Sequence, residues 1–376
     1  MNFFHRTWAE IDIDALIHNF NIIKNTVNSK IMAVVKANAY GHSAELVAPA
    51  LENAGVDAFA VSNIGEAMQL REIGIKAPVL ILGYTPVDAV TLLHNNNISQ
   101  CVYDLEYARQ LSAKAVENRV TVKIHIKLDT GMSRLGFDCR SDELKGIDDA
   151  VISAKMPNFF LEGVFTHFAD SDRTPDTEDG FTDLQFNRFN KGVNALKNAG
   201  LSPEITHCCN SAATLLDGDK SLGLVRTGII LYGLSPNPDL KLNADLIPVM
   251  TLKSVVSMVK TIEKGDSVNY GRTFTAKEKM RVATVAAGYA DGYPRQLSNK
   301  SYVLITGKKS PIKARNCMDQ LSVDVSHIDN ISIGDEVILF GKELSVDTLA
   351  GLVGTINYEI ICNISPRVPR ITIKGS

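Results

Sequence analysis

The chain has 376 residues, 45% hydrophobic and 22% charged, with a net charge of -3. That length allows two domains or one large one, and without a basic excess there is no surface suited to neutralising nucleic-acid phosphates. Apolar stretches such as "GVFTHFA" and "RVATVAAGYA" fall far short of the roughly 20 residues that span a bilayer, so no membrane segment is read.

The opening "MNFFHRTWAEIDID" lacks the basic-then-apolar pattern of a signal peptide, which points to the cytoplasm. From there to about residue 235, short β-branched runs alternate with helix-like stretches. Strands are expected at 31–35, 58–62, 79–82, 99–103, 122–128, 161–167, 204–210 and 223–228. Between them lie helix candidates such as "SAELVAPALENAG", "IGEAMQLREIG", "DLEYARQLSAKAVENR" and "FNRFNKGVNALKNAG". Several end on Gly, and Ser43 stands where an N-cap belongs. Strand–helix alternation demands parallel pairing. Eight such units close into an α/β fold of the (β/α)8 barrel type. The alternative, an open doubly wound sheet, finds no support, because no GxGxxG follows an early strand. Near residue 236 the texture changes: "SPNPDLKLNADLIPVM" reads as a linker, and short strands with turns follow, with one helix at "SVDTLAGLVG". The expected domains are a barrel over 1–238 and a mostly β domain over 239–376.

Six cysteines, at 101, 139, 208, 209, 317 and 362, include no CxxC and no regular spacing. They read as reduced thiols filling the core, and no metal site is read. Cys208 and Cys209 should face opposite sides if they lie in a strand.

A barrel of this type carries its active site at the C-terminal ends of its strands. The expected strands end on chemically useful residues. The first ends at Lys36, the fifth at Lys127 with Asp129 and Arg134 in its loop, and the sixth at His167. The seventh ends at Asn210 and Ser211, and the eighth carries Arg226, then Gly228 and Ile229. Singly, each has a plain structural reading: a strand-end lysine is usually a solvated marker. Together they describe a pocket with a lysine, anion-binding groups and a flat imidazole. A buried lysine of lowered pKa forms Schiff bases. Ser211, Asn210 and the amides near Gly228 suit a phosphate. Pyridoxal phosphate fits such a site, and so does the sugar-phosphate substrate of a lysine-dependent aldolase.

The segments "AVVKANAYGHS", "KLDTGMSRLGF", "GVFTHFADSD", "CCNSAA", "VRTGIILYG", "GYADGYPR", "NCMDQ" and "RVPR" occur in the order in which alanine racemases carry their motifs. The chain resembles that family from "RTWAEIDIDALIHN" to "RVPRI". The resemblance implies a pyridoxal 5'-phosphate enzyme of fold type III, a barrel plus a C-terminal β domain working as a head-to-tail homodimer. It implies that Lys36 holds the cofactor. Tyr40, Ser211, Gly228 and Ile229 would bind its phosphate, with Asn210 nearby. His167 would stand beside the ring, and Arg226 would face the pyridine nitrogen. Arg134 would approach the phenolic oxygen and the substrate carboxylate, which the Met318 backbone would also hold. Asp319 would border the site and Asp172 its mouth. Lys127 matches a position that some members carbamylate.

By the same resemblance, Lys36 and Tyr289 from the other subunit are the two catalytic bases, one removing the α-proton of alanine and the other returning one from the opposite face. Arginine only donates, so at the pyridine nitrogen it would weaken the ring as an electron sink and favour return of the proton to the α-carbon. The implied product is D-alanine for cell-wall peptidoglycan. One position departs from the family: Pro366 stands in "CNISPRVPR" where a tyrosine often precedes "RVPR". That keeps open a serine or serine/alanine racemase of the kind linked to glycopeptide resistance.

Overall fold

A computed structural model describes residues 5–174, 179–240 and 242–373. Its contacts group into two compact units: Ile17–Ala39 with Ala44–Leu246, and Met1–Leu16 with Tyr40–Ser43 and Ile247–Ser376.

In chain order, β1 (Thr7–Asp12) belongs to the C-terminal unit. Eight strands form the barrel, apart from a two-residue strand, Phe137–Asp138, that pairs beside the fifth of them: β2 (Lys30–Val34), β3 (Ala58–Val61), β4 (Val79–Ile81), β5 (Ile98–Val102), β6 (Val122–Asp129), β7 (Phe159–Phe165), β8 (Ile205–His207) and β9 (Leu224–Thr227). Each pairs in parallel with the next, and β9 closes on β2, with Leu224 opposite Lys30 and Thr227 opposite Ala33. All eight expected strands are present. β3, β4 and β5 are buried at every position, which is why β3 and β4 read as unbroken apolar runs rather than alternating ones. The helices cover the outer face with one stripe each. In Leu105–Glu117 the stripe is Tyr107, Ala108, Leu111, Ser112 and Ala115, and the N-cap Asp104 accepts from the Tyr107 amide. Burying a leucine such as Leu111 contributes about 1.5–3 kcal/mol.

Three local expectations are corrected. β7 keeps its expected length but begins and ends two residues earlier, so His167 lies two residues past it, and β8 is shorter than expected, so Asn210 is not on a strand. Asn210 instead caps the helix Ser211–Leu216, because its side chain accepts the Ala213 amide. Cys208 and Cys209 follow the strand and are both buried, so two-sided alternation does not apply to them. Finally, the Ala44 amide at the start of Ala44–Asn53 goes to Asn38 Oδ1 at 2.8 Å, while Ser43 sits in left-handed backbone with φ 79°.

In the C-terminal unit the long strand β10 (Met250–Ile262) is central. It pairs antiparallel with β1 and, further along, with β11 (Met280–Val285). The strands β12 (Tyr302–Ile305), β13 (Lys308–Lys313), β14 (Leu321–Asp324) and β15 (Glu336–Phe340) complete the sheet, and β1 also pairs in parallel with β16 (Arg370–Ile373). The first residues of the chain therefore group with its last ones, where the sequence places residues 1–238 together. The expected helix appears as Val346–Val353, capped by Ser345, and a second short helix, Asn357–Cys362, follows it. Among the described residues no helix is long and apolar enough to cross a membrane.

Candidate active site

Arg226, the third residue of β9, is 4% exposed and clamped in the barrel. Its Nη2 lies 2.8 Å from Thr166 O, 2.9 Å from Cys208 O and 3.1 Å from His167 Nδ1, and its Nη1 lies 2.9 Å from His207 Nδ1. Burial lowers its pKa to about 10, so it stays protonated at neutral pH. His167 is pushed well below the ordinary histidine range by burial, and further by the charges of Arg226, Lys127, Arg134 and Lys36. The four cations, expected at three different strand ends, thus act together on one uncharged imidazole. Lys127 is buried, and its ammonium is destabilised by burial and by Arg134 and Arg226. Arg134 is exposed in the loop after β6. That loop is fixed by the Asp129 carboxylate, whose Oδ1 accepts from the Gly131 amide at 3.1 Å and the Ser133 amide at 2.9 Å.

Of the groups expected at a phosphate, Ser211 Oγ accepts the Gly228 amide at 2.9 Å, and the buried Ile229 opens the single turn Ile229–Tyr232. Asn210 is committed to structure: Oδ1 accepts from Ser171 Oγ at 2.8 Å and from the Ala213 amide at 3.1 Å. The Asp172 carbonyl accepts from Asn237 Nδ2 at 2.9 Å.

Lys36 follows β2 and opens an unusual turn. Ala37, Asn38, Ala39 and Tyr40 all have φ between 52° and 55°. Left-handed backbone costs an L-residue roughly 1–2 kcal/mol, so such a run persists only where neighbours enforce it. They do so here: the Ala37 amide donates to Glu66 Oε1 at 2.8 Å, the Ala39 amide to Val35 O at 2.8 Å, and Asn38 takes the Ala44 amide. The strain fixes where the chain leaves the lysine.

In the C-terminal unit, Tyr289 is 41% and Met318 52% exposed. The Tyr289 amide donates to Cys317 O at 3.1 Å and the Ala290 amide to Met318 O at 3.0 Å, so the two loops are tied to each other through their backbones. Beneath them Asp291, 2% exposed, accepts from the Gly288 amide (2.9 Å), Arg367 Nε (2.8 Å) and Arg6 Nη2 (3.1 Å). Asp319 is exposed and accepts from Arg367 Nη2 at 2.7 Å. Tyr40 groups with this unit, its ring 6.0 Å from Tyr358, and burial raises its hydroxyl pKa. Pro366 is exposed and occupies the second position of a turn closed by the Val368 amide on Ser365 O at 3.0 Å. Proline's fixed φ suits that position.

Sequence reasoning missed the polar residues behind the site: His125, His207 and Glu162 in the barrel, and Arg6, Asp291 and Arg367 below Tyr289. One signal was available. In β6 the polar residues Lys123, His125 and Lys127 recur every second position, which places them on one face.

A barrel whose strand ends gather cations, joined in sequence to a mostly β domain, defines the class. Residues 11–236 match the alanine racemase N-terminal domain and residues 249–372 the alanine racemase C-terminal domain. An alanine racemase of Clostridium tetani is 43% identical over 374 residues, covering 98% of this chain and 95% of that protein. The solved alanine racemase of Clostridium difficile superposes with a TM-score of 0.92 at 39% identity, covering 100% of this chain and 97% of that one. That of Bacillus anthracis, solved with bound L-Ala-P, gives 0.91 at 38%, with coverage of 100% and 97%. The chain belongs to the alanine racemase family, a family of isomerases.

Proposed function

We propose that this protein interconverts L- and D-alanine with pyridoxal 5'-phosphate, using Lys36 and Tyr289 as its two bases. The observation that carries the reading is the convergence of Lys36, Lys127, Arg134 and Arg226 on the neutral His167. A donor-rich, cationic set around a flat uncharged ring fits an anionic, ring-shaped cofactor. Pyridoxal phosphate supplies a carbonyl for the substrate amine and a ring that withdraws electrons from the α-carbon.

The chain's own residues do the rest. Lys36 holds the cofactor, and its amine exchanges a proton with the α-carbon on one face. Ser211, Gly228, Ile229 and Tyr40 hold the phosphate, with Asn210 fixing the helix that presents Ser211. His167 would stand beside the ring, and Arg226 would offer a donor to its nitrogen. Arg134 and the Met318 amide hold the substrate carboxylate, with Asp319 and Asp172 lining the approach. Burial and the charges of Arg134 and Arg226 lower the pKa of the Lys127 amine, which favours capture of carbon dioxide as a carbamate with release of one proton; the resulting anion would face Arg134. The partner subunit's Tyr289 serves the opposite face of the α-carbon, in a homodimer whose contact surface includes Tyr289 and Met318. A cytoplasmic supply of D-alanine for the cell wall follows as the role. The turn at Ser365–Val368 accounts for Pro366 without a serine pocket, so alanine is the substrate proposed.

Three experiments test this. Chiral chromatography after incubation with each small L-amino acid should show alanine converted in preference to serine. Borohydride should fix the cofactor to Lys36, and label on another lysine would refute the assignment. Mixing Lys36→Ala with Tyr289→Phe protein should restore part of the activity through heterodimers with one intact site. Proven subunit exchange without recovery would show that each chain is self-sufficient.

A further inference from the structure

Behind Arg226 a polar chain continues through the barrel interior. Arg226 Nη1 lies 2.9 Å from His207 Nδ1, His207 Nε2 lies 2.9 Å from His125 Nδ1, and His125 Nε2 lies 3.0 Å from Glu162 Oε2. Ser99 Oγ donates to the same carboxylate oxygen, and Lys123 Nζ is 3.3 Å from the other. The members come from β9, β8, β6, β7 and β5. Arg226, His207, His125 and Glu162 are 4%, 0%, 1% and 9% exposed.

The chemistry of arginine sets every proton in this chain. Arginine has donors and no acceptor, so His207 Nδ1 must accept and its proton must sit on Nε2. That proton points at His125 Nδ1, which must accept in turn, leaving the His125 proton on Nε2 to meet Glu162. Both rings are therefore neutral, and the His125–Glu162 contact is a hydrogen bond rather than an ion pair. Burial opposes the charge on Glu162, but the hydrogen bonds from His125 and Ser99, with the nearby Lys123 ammonium, hold its pKa below the ordinary carboxylate range. Space for the His125 ring comes from Gly163, where a Cβ would sit 2.3 Å from His125 Nδ1.

We infer that Glu162, His125 and His207 are positioning residues that form a proton-ordered chain orienting Arg226 while the carboxylate itself stands two imidazoles away. A carboxylate set directly on the guanidinium would occupy it in a bidentate pair. Here the carboxylate pairs with Lys123 and reaches Arg226 only through neutral rings, so Arg226 keeps its charge for the ligand side. The consequence for catalysis rests on the proposed placement of Arg226 at the cofactor ring; the proton order does not.

The test is nitrogen-15 NMR of the histidine rings in the full-length protein as isolated. At pH 7 the wild type should show His125 and His207 each as a single neutral tautomer protonated at Nε2. Glu162→Gln keeps an acceptor and should leave both tautomers in place. Glu162→Ala removes it, and the His207 signal should change although His207 does not touch residue 162. Gly163→Ala, which displaces His125 without altering any member of the chain, should change His207 in the same way. An Nδ1-protonated or charged ring in the wild type would overturn the proposal. So would an unaltered His207 signal in both Glu162→Ala and Gly163→Ala. In the loaded enzyme, Glu162→Ala should lower kcat about 10- to 100-fold, as a small misplacement of a working group does, with KM for alanine little changed and Glu162→Gln restoring most of the loss. Equal losses in the two variants with unaltered rings would also overturn it. Failure of borohydride to label Lys36, with the ring signals as expected, would remove the cofactor reading and leave the proton-ordered chain standing.

Discussion

Gly288 precedes Tyr289, and a Cβ there would sit 2.3 Å from Met318 O, 2.4 Å from Cys317 O and 2.5 Å from Met318 C. These are backbone atoms, so no side chain can swing aside to make room. Gly288→Ala must push the Tyr289 turn away from the 317–318 loop. Overpacking of this kind costs about 1–3 kcal/mol. The two backbone hydrogen bonds that join the loops, from Tyr289 to Cys317 and from Ala290 to Met318, add about 0.5–1.5 kcal/mol each if lost. The expected destabilisation is therefore about 2–6 kcal/mol, with the lower end applying if the loops part by sliding. The catalytic loss should be more selective than the stability loss. Displacing a catalytic group by about 1 Å can cost some 100-fold in rate, and this substitution moves Tyr289 and Met318 while leaving the Lys36 turn untouched. Denaturant unfolding, cofactor absorbance and racemisation should be read on the same preparation. The expected result is a coloured, folded protein that is less stable and turns over alanine at about a hundredth of the normal rate. Wild-type stability together with wild-type turnover would show that the loops are not locked together at Gly288.

His167 and His207 both have folded pKa values well below 6.5, because of burial and the charge of Arg226. Below pH 6.5 the unfolded chain takes up protons that the folded chain refuses, so the stability these rings allow is complete above that pH and falls as the pH drops. The loss is about 1.4 kcal/mol per pH unit for each ring, and denaturant unfolding at about pH 7.5, 6.5 and 5.5 should show it; a flat profile would mean that the rings charge in place. Gly351 lies inside the helix Val346–Val353, and an added methyl group there would meet nothing within 4 Å, so Gly351→Ala should raise stability by about 0.5–1 kcal/mol in a thermal melt without changing activity. Asn38→Ala removes the acceptor for the Ala44 amide and puts alanine at φ 53°, and it should destabilise by about 1–3 kcal/mol and slow borohydride labelling of Lys36.

The barrel was legible because its physics is local and repeated. Each strand–helix unit carries its own apolar run and its own stripe, and eight of them permit one closure. The strand-end residues were legible for a related reason: a parallel barrel delivers every strand end to one rim, so Lys36, Lys127 and Arg226 could be brought together before any contact was known. What the sequence hid depends on geometry that no local pattern encodes. Nothing in "AVVKANAYGHS" announces four successive left-handed residues, because alanine and tyrosine enter that conformation only when Glu66, Val35 and Ala44 compel it. Nothing near Asn210 says that its side chain is spent on Ala213 and Ser171. His125 and Glu162 sit among apolar neighbours in "VKIHIKL" and "LEGVFTH", and each alone reads as a polar residue awaiting a partner. Only the register of β6 against β7, with its irregularity between Ile124 and His125, shows which partner each has. The same irregularity sets His125 opposite Gly163, the residue without a side chain. A buried carboxylate, two rings and an arginine can thus share one line of protons because one strand slips by a residue against its neighbour at the point where glycine leaves room for it.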